Sequence, residues 1–253
     1  MKVELISFTP DALTLLLRTK GTRLSHNDDP AHWDDEKRLA HLEYMRDTIQ
    51  SSWEFVDFVF RIDGVTRAFT HQLVRTRTGS YAQQSMRASD VRFNDVQIPP
   101  AVAADGNKMR IWEDVSDAAK TAYAMLIDDG VPVQDARGLL PTAITGDIIA
   151  KLNLRTLSDM AKTRLCTRTQ GEYQDVFRAM RDAVIAVYPW AANFMEVHCV
   201  ATGTCAFPRY GKDHCRVYSP LMDNTAVKEE ARKVFWAMRQ EACPVAVDGV
   251  SVS

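Results

Sequence analysis

The chain has 253 residues, of which 46% are hydrophobic and 25% charged, with a formal net charge of -2. That length suffices for one sizeable core, and the near balance of charge gives no global signal for nucleic acid or an anionic membrane, so any anion site is local. No apolar run approaches the roughly 20 residues of a membrane span, and MKVELISFTPDAL lacks the apolar segment of a signal peptide. The five cysteines are an odd number and widely spread. They read as free thiols of a reducing compartment, which makes the expectation a cytoplasmic protein.

In chain order, residues 3–8 predict an edge strand, 10–18 a short helix, 22–32 a polar loop and 33–50 a helix. From Trp53 to Ile62 the residues are β-branched or aromatic, which predicts a strand broken by Gly64. Helical spacing returns over 65–75. Residues 76–88 read as an extended loop, and 89–98 as a short strand ending at Pro99–Pro100. A helix follows over 107–129, stopped by Gly130. Then come a helical turn over 133–140, a strand over 143–152, and helices over 153–168 and 170–188. Residues 200–222 look irregular, and 226–241 suggest a last amphipathic helix. Helices interleaved with few strands predict a single α+β domain over residues 1–222, with a C-terminal helical extension over 223–253.

Residues 64–89 hold four arginines (Arg67, Arg75, Arg77, Arg87), no lysine and no acidic residue. Gln72, Thr76, Ser80, Gln83, Gln84 and Ser85 add neutral hydrogen-bonding groups. Planar guanidinium forks suit phosphate oxygens, and amides suit the edge of a heterocycle. The residues by themselves leave two readings, a site for a phosphorylated heterocycle or a solvated basic loop. A second stretch, 153–168, carries Arg155, Lys162, Arg164 and Arg168 against Asp159. Leu154, Leu157, Met160 or Ala161, and Leu165 form its expected buried stripe. The spacing places Arg164 and Arg168 on one helix face and predicts an Arg155–Asp159 pair. By itself this stretch also reads as an ordinary amphipathic helix.

Arg75-Thr76-Arg77, seven residues, then Ser85 resembles the Arg-His-Arg, seven residues, Ser signature of the flavin-dependent thymidylate synthases (the ThyX family). Gln72 and Arg87 fit around it. Arg137 before Leu140-Pro141, then Asn153-Leu154-Arg155-Thr156-Leu157, then Arg164, resemble a second motif of that family in order and spacing, as do Gln170 and Glu172. The resemblance spans roughly residues 22–190. Thr76, Gln83, Asp159 and Arg168 depart from common family residues. A carboxylate at Asp159 disfavours an anionic reduced flavin unless Arg155 neutralises it.

The resemblance implies a methyltransferase that converts dUMP to dTMP in the cytoplasm, with FAD as cofactor, NADPH as reductant and 5,10-methylenetetrahydrofolate as one-carbon donor. It implies a homotetramer with active sites at subunit contacts, and no nucleic acid or membrane partner. It implies FAD contacts from Ser51, Arg75, Thr76, Arg77, Gln83, Asn153, Arg155 and Asp159, with Ser25 a weaker one. It assigns dUMP to Gln72, Gln84, Ser85, Arg87, Arg137 and Arg164, with Arg164 the catalytic residue that activates the uracil ring. Ser85 resembles a hydroxyl with a nucleophilic look but has no motif histidine as its base, so it reads as a binding residue. Two alternatives remain: an FAD-binding member without turnover, and a nucleotide- or RNA-binding module using the arginine-rich stretches.

Cys166 reads as a packed thiol rather than a nucleophile. His198, Cys199, Cys205, His214 and Cys215 form a cluster whose cysteines are separated by five and then nine residues. Short Cys-x(2–4)-Cys pairs mark structural zinc, so the expectation here is no metal.

Overall fold

A computed structural model describes residues 1–25, 29–216 and 218. The described strands are β1 (Lys2–Phe8), β2 (Asp57–Thr66), β3 (Ser80–Gln83) and β4 (Thr145–Asn153). The described helices are α1 (Ala12–Arg23), α2 (Asp35–Thr48), α3 (Arg67–Leu73), α4 (Pro100–Ala103), α5 (Gly106–Asp128), α6 (Val133–Ala136), α7 (Leu154–Arg164), α8 (Gly171–Val187), α9 (His198–Thr202) and α10 (Pro208–His214). The fold is α+β, as expected. The expected helix at 226–241 and the extension 223–253 lie outside the described residues. Two compact units form: Met1–Pro10 with Asp57–Leu152, and Asp11–Val56 with the described residues from Asn153 onward.

The first unit is built on a four-stranded sheet in the order β1-β2-β4-β3. β1 runs antiparallel to β2, with Val3 opposite Ile62, and β3 antiparallel to β4, with Tyr81 opposite Ala150. Alternation decides which face is buried. Phe58, Phe60 and Ile62 of β2 and Ile148, Ala150 and Leu152 of β4 are buried, while Arg61, Asp147 and Lys151 point outward. A smaller core of Met86, Val91, Tyr123, Ala136 and Ile144 sits against Val96, Leu126 and Leu140. It packs α5 under the segments that carry Arg87 and Arg137.

Several boundaries differ from the sequence expectations. Residues Gln50–Phe55 form a 3-10 turn rather than the start of a strand. There the Trp53 ring is buried edge-on against Phe194 at 4.7 Å, and that packing overrides the local β propensity. Gly64 does not end β2; it takes φ +67 within it, and its amide donates to the Asp147 carboxylate at 3.0 Å. β3 falls inside the expected loop. The expected strand at 89–98 reduces to one bridge between Val96 and Ile144. Turn bonds hold the rest, Arg92 N–H to Asp90 at 3.0 Å and Asn94 N–H to the Val91 carbonyl at 3.0 Å.

In the second unit α7 begins directly where β4 ends. Asn153 caps it by accepting the Thr156 amide at 2.8 Å, and the Leu154 amide bonds the Val56 carbonyl at 2.8 Å. Leu154, Leu157, Met160, Ala161 and Leu165 are all buried, as the expected stripe requires. The helix stops at Arg164, so Arg168 is not on it. α8 buries Tyr173, Gln174, Val176, Phe177, Met180 and Val184. The region expected to be irregular carries α9 and α10.

Candidate active site

In the first unit, Thr66 caps α3 by accepting the Phe69 amide at 3.1 Å, and the Arg67 and Ala68 amides bond the carbonyls of Ile144 and Thr142. This fixes the start of the arginine-rich stretch. The turn after α3 closes with the Arg75 amide on the Gln72 carbonyl and the Thr76 amide on the Leu73 carbonyl. The Tyr81 hydroxyl donates to the Thr76 carbonyl at 2.8 Å. A Cβ placed on Gly79 would meet Leu152 Cδ2 at 2.5 Å and the Tyr81 Oη at 2.5 Å, so the loop between Arg77 and β3 presses onto the sheet.

Three arginines of this unit converge. Arg87 donates to the Gln134 side-chain carbonyl at 3.3 Å, and Arg137 donates to the Gln134 main-chain carbonyl at 3.1 Å. Arg67 places its Nε 2.9 Å from the Met86 sulfur; burial, and then the charge of Arg137, hold its pKa below the usual arginine range. Among the described residues none of Arg67, Arg75, Arg77, Arg87 and Arg137 has a carboxylate partner. Arg61 and Arg92, by contrast, are paired with Asp63 and Asp90. The four arginines of the stretch that the sequence singled out, together with Arg137, thus keep their donors free of carboxylates among the described residues, an arrangement that suits phosphate oxygens.

The neutral groups are ordered beside them. Gln83 donates to the Thr70 hydroxyl at 2.6 Å. Gln72 donates to the Ala68 carbonyl at 3.3 Å, and the Gln84 side chain accepts from Asn94 at 3.3 Å. The Ser85 hydroxyl accepts the Arg87 amide at 3.3 Å, which makes it part of a turn. Sequence reasoning left out Arg67 as a site residue, although it lies in the basic stretch, and Gln134, for which there was no signal.

In the second unit the expected Arg155–Asp159 pair does not form. Arg155 reaches Glu54 at 2.9 Å, and Asp159 pairs instead with Lys162 at 2.7 Å. A residue three positions on meets Asp159, while the turn at 50–55 supplies the nearer carboxylate for Arg155. Asp159 is thus neutralised, by a different cation from the one expected. Ser51 accepts from Arg23 at 2.7 Å. Arg164 lies over the Tyr173 ring at 4.2 Å, while Arg168 lies over Phe207 at 4.3 Å. The buried Gln174 amide donates to the carbonyls of Leu165 at 3.0 Å and Cys166 at 2.9 Å, closing the end of α7 just past Arg164. Burial pushes the Cys166 thiol pKa up, which is the wrong direction for a nucleophile.

Residues 4–190 match the family model of Thy1, thymidylate synthase complementing protein. The chain belongs to the Thy1 family. It is 34% identical over 219 residues to a flavin-dependent thymidylate synthase of Geobacter sulfurreducens, covering 81% of this chain and 90% of that protein. A flavin-dependent thymidylate synthase of Nitratidesulfovibrio vulgaris is 33% identical over 221 residues, with 81% and 90% covered. One of Pyrococcus furiosus is 33% identical over 193 residues, with 72% and 75% covered. Every expected site residue from Ser51 to Arg164 falls inside the Thy1 match, whereas Cys199, Cys205 and Cys215 lie beyond it. Among the described residues no helix is long and apolar enough to cross a membrane, and no three His, Cys, Asp or Glu side chains stand as ligands for one metal ion.

Proposed function

We propose that this chain is an FAD-dependent thymidylate synthase that converts dUMP to dTMP, with 5,10-methylenetetrahydrofolate as one-carbon donor and NADPH as reductant. The observation that carries this reading is the set of arginines without carboxylate partners, two of them oriented on Gln134, in a chain of the Thy1 family. Arg87 and Arg137 take the dUMP phosphate, and Gln72, Gln84 and Ser85 the rest of that nucleotide. Arg164 contributes a fixed positive charge at the uracil ring. Charge placed there in advance favours the anionic ring and makes its methyl-accepting carbon more nucleophilic.

The residues also fit a flavin dinucleotide. Arg75 and Arg77 are exposed, have no carboxylate partner among the described residues, and flank a loop pinned by Gly79 and Tyr81. In this reading Arg75, Thr76, Arg77, Ser51, Asn153 and Arg155 hold it, with Asp159 balanced by Lys162. Gln83 serves where the two ligands meet. The flavin, when bound and reduced, supplies the hydride that completes the methyl group. A homotetramer fits α5, a 23-residue helix that buries only Ser116 and Tyr123 and leaves Ile111, Val115 and Met125 exposed.

The test is an absorbance spectrum of the purified protein, with dUMP-dependent tritium release from the methyl-accepting ring position measured in the same sample. Bound flavin, and release that requires both NADPH and methylenetetrahydrofolate, is the expected result. A colourless protein that stays inert after FAD is added overturns the reading in favour of a polyanion-binding module. A yellow protein that oxidises NADPH without forming dTMP overturns the turnover part alone.

A further inference from the structure

Helix α5 presents three sides. One is fixed to the first unit. Tyr123 is buried and its hydroxyl donates to Asp90 at 3.1 Å, Lys120 donates to the Asn94 carbonyl at 2.9 Å, and Leu126 and Ile127 pack against the core of Met86, Val91 and Ile144. These ties set the roll of the helix. A second side carries Glu113, Asp114, Asp117 and Thr121, all exposed, and suits water. The third side is apolar and lies about a third of a turn round from Tyr123. Ile111 is 62% exposed, Val115 66% and Met125 62%, while Ala118 is exposed and Ala122 half-buried.

These five residues recur at intervals of four, three, four and three. That is the spacing of a helix–helix seam, and it keeps one line of contact over about 21 Å of helix. An apolar stripe of this length marks an interaction surface. The two alanines at its middle let a second helix approach closely, and the larger side chains fill the space on either side. The ends of the stripe carry opposite charge. Lys108 is exposed one turn before Ile111, and Asp129 is exposed one turn after Met125. The 3.5 Å ion pair of Lys108 with Asp105 lies in water and is weak, so it yields to a closer partner. The stripe is therefore complementary to itself read backwards.

We propose that the face of α5 from Ile111 to Met125 binds the same face of a second copy of this chain, antiparallel, about a two-fold axis between Ala118 and Ala119. That arrangement sets Val115 opposite Ala122, Ile111 beside Met125 and Lys108 opposite Asp129, each of them twice. A parallel pairing would set Lys108 against Lys108 and Asp129 against Asp129, which opposes it. The proposal names a surface for the association proposed above and rests on that association, not on the dTMP chemistry.

The test is the mass of the full-length protein by light scattering, with the dissociation constant from analytical ultracentrifugation. The wild type should contain an even number of copies. Ala118→Arg should halve the mass, while Asp117→Arg, on the water-facing side, should leave it unchanged. Lys108→Asp and Asp129→Lys each bring like charges together and should weaken association about tenfold; the double variant, which reverses both, should restore it. Both single changes suit the dipole of α5, so loss of the helix does not account for a weakening. If Ala118→Arg does not fold, the charge-reversal series decides. A monomeric wild type, an unchanged mass in folded Ala118→Arg, dissociation in Asp117→Arg, or a double variant no tighter than the single ones overturns the proposal. A lower melting temperature in Ala118→Arg at unchanged mass overturns it in favour of cover by a segment of the same chain. Flavin content and tritium release in the same samples separate the two readings: a monomer that forms dTMP sinks the interface alone, and a paired protein without flavin sinks the chemistry alone.

Discussion

The Arg164 guanidinium rests 4.2 Å from the centre of the Tyr173 ring, on the next helix in the chain. The stacking fixes a planar cation whose donors remain available at its edge. Arg164→Ala should lower dTMP formation on the order of 10²–10³-fold while the protein stays folded and binds flavin. Arg164→Lys should not restore it, because a point charge does not replace the fork. Wild-type tritium release in Arg164→Ala would remove this residue from the chemistry. Tyr173→Leu keeps apolar bulk but removes the ring, and should weaken the fixation by about 0.5–2 kcal/mol, read as a fall in kcat at saturating dUMP.

Gln174 acts one step further back. Its amide serves two carbonyls at the end of α7, and it is buried. Gln174→Ala strands both acceptors, which costs about 1–3 kcal/mol. The expected sign is a melting temperature lower by about 2–12 °C in differential scanning calorimetry. An unchanged melting temperature would mean that water replaces the amide.

Arg87 and Arg137 share Gln134 as their guide. Removing either arginine should raise the KM for dUMP by about 10–100-fold, the worth of one charge-assisted hydrogen bond. Gln134→Ala should raise it less and leave kcat unchanged. Deoxyuridine, which lacks the phosphate, provides the control. If its binding falls as much as that of dUMP, the arginines do not read the phosphate.

Gly79→Ala tests the pinned loop. The added methyl meets Leu152 and Tyr81 at distances that force the loop to move. FAD affinity, measured by fluorescence titration of the stripped protein, should drop while the secondary structure measured by circular dichroism is retained. Unchanged affinity would exclude the loop at 76–80 from the flavin site.

The sequence was most legible where one local pattern governed. α5, α8, β4 and the buried stripe of α7 follow from periodicity alone, and Gly130 does terminate α5 with a positive φ of 85. Legibility failed where a distant partner decided. Trp53 turned a β-like run into a 3-10 turn by packing on Phe194, and Gly64 stayed in its strand because Asp147 accepts its amide. The four residues of β3 carry too short an alternation to be seen without the β4 partner. The basic stretch stood out by composition, but its geometry depends on Gln134, a neutral residue far along the chain. Arg155 shows the same limit: spacing offered Asp159, and the fold supplied Glu54.

The crowding of Arg67 against Arg137 has a thermodynamic consequence. Arg67 is half-buried, and the second cation beside it opposes its charge, so the ligand-free protein carries an internal repulsion. In the proposed reading the dUMP phosphate enters beside this pair, and a ligand that binds only the native chain also stabilises it. At a hundred times its Kd such a ligand adds about 2.7 kcal/mol to the native state. In that reading the stability of the fold rises and falls with the supply of the compound that the chain binds.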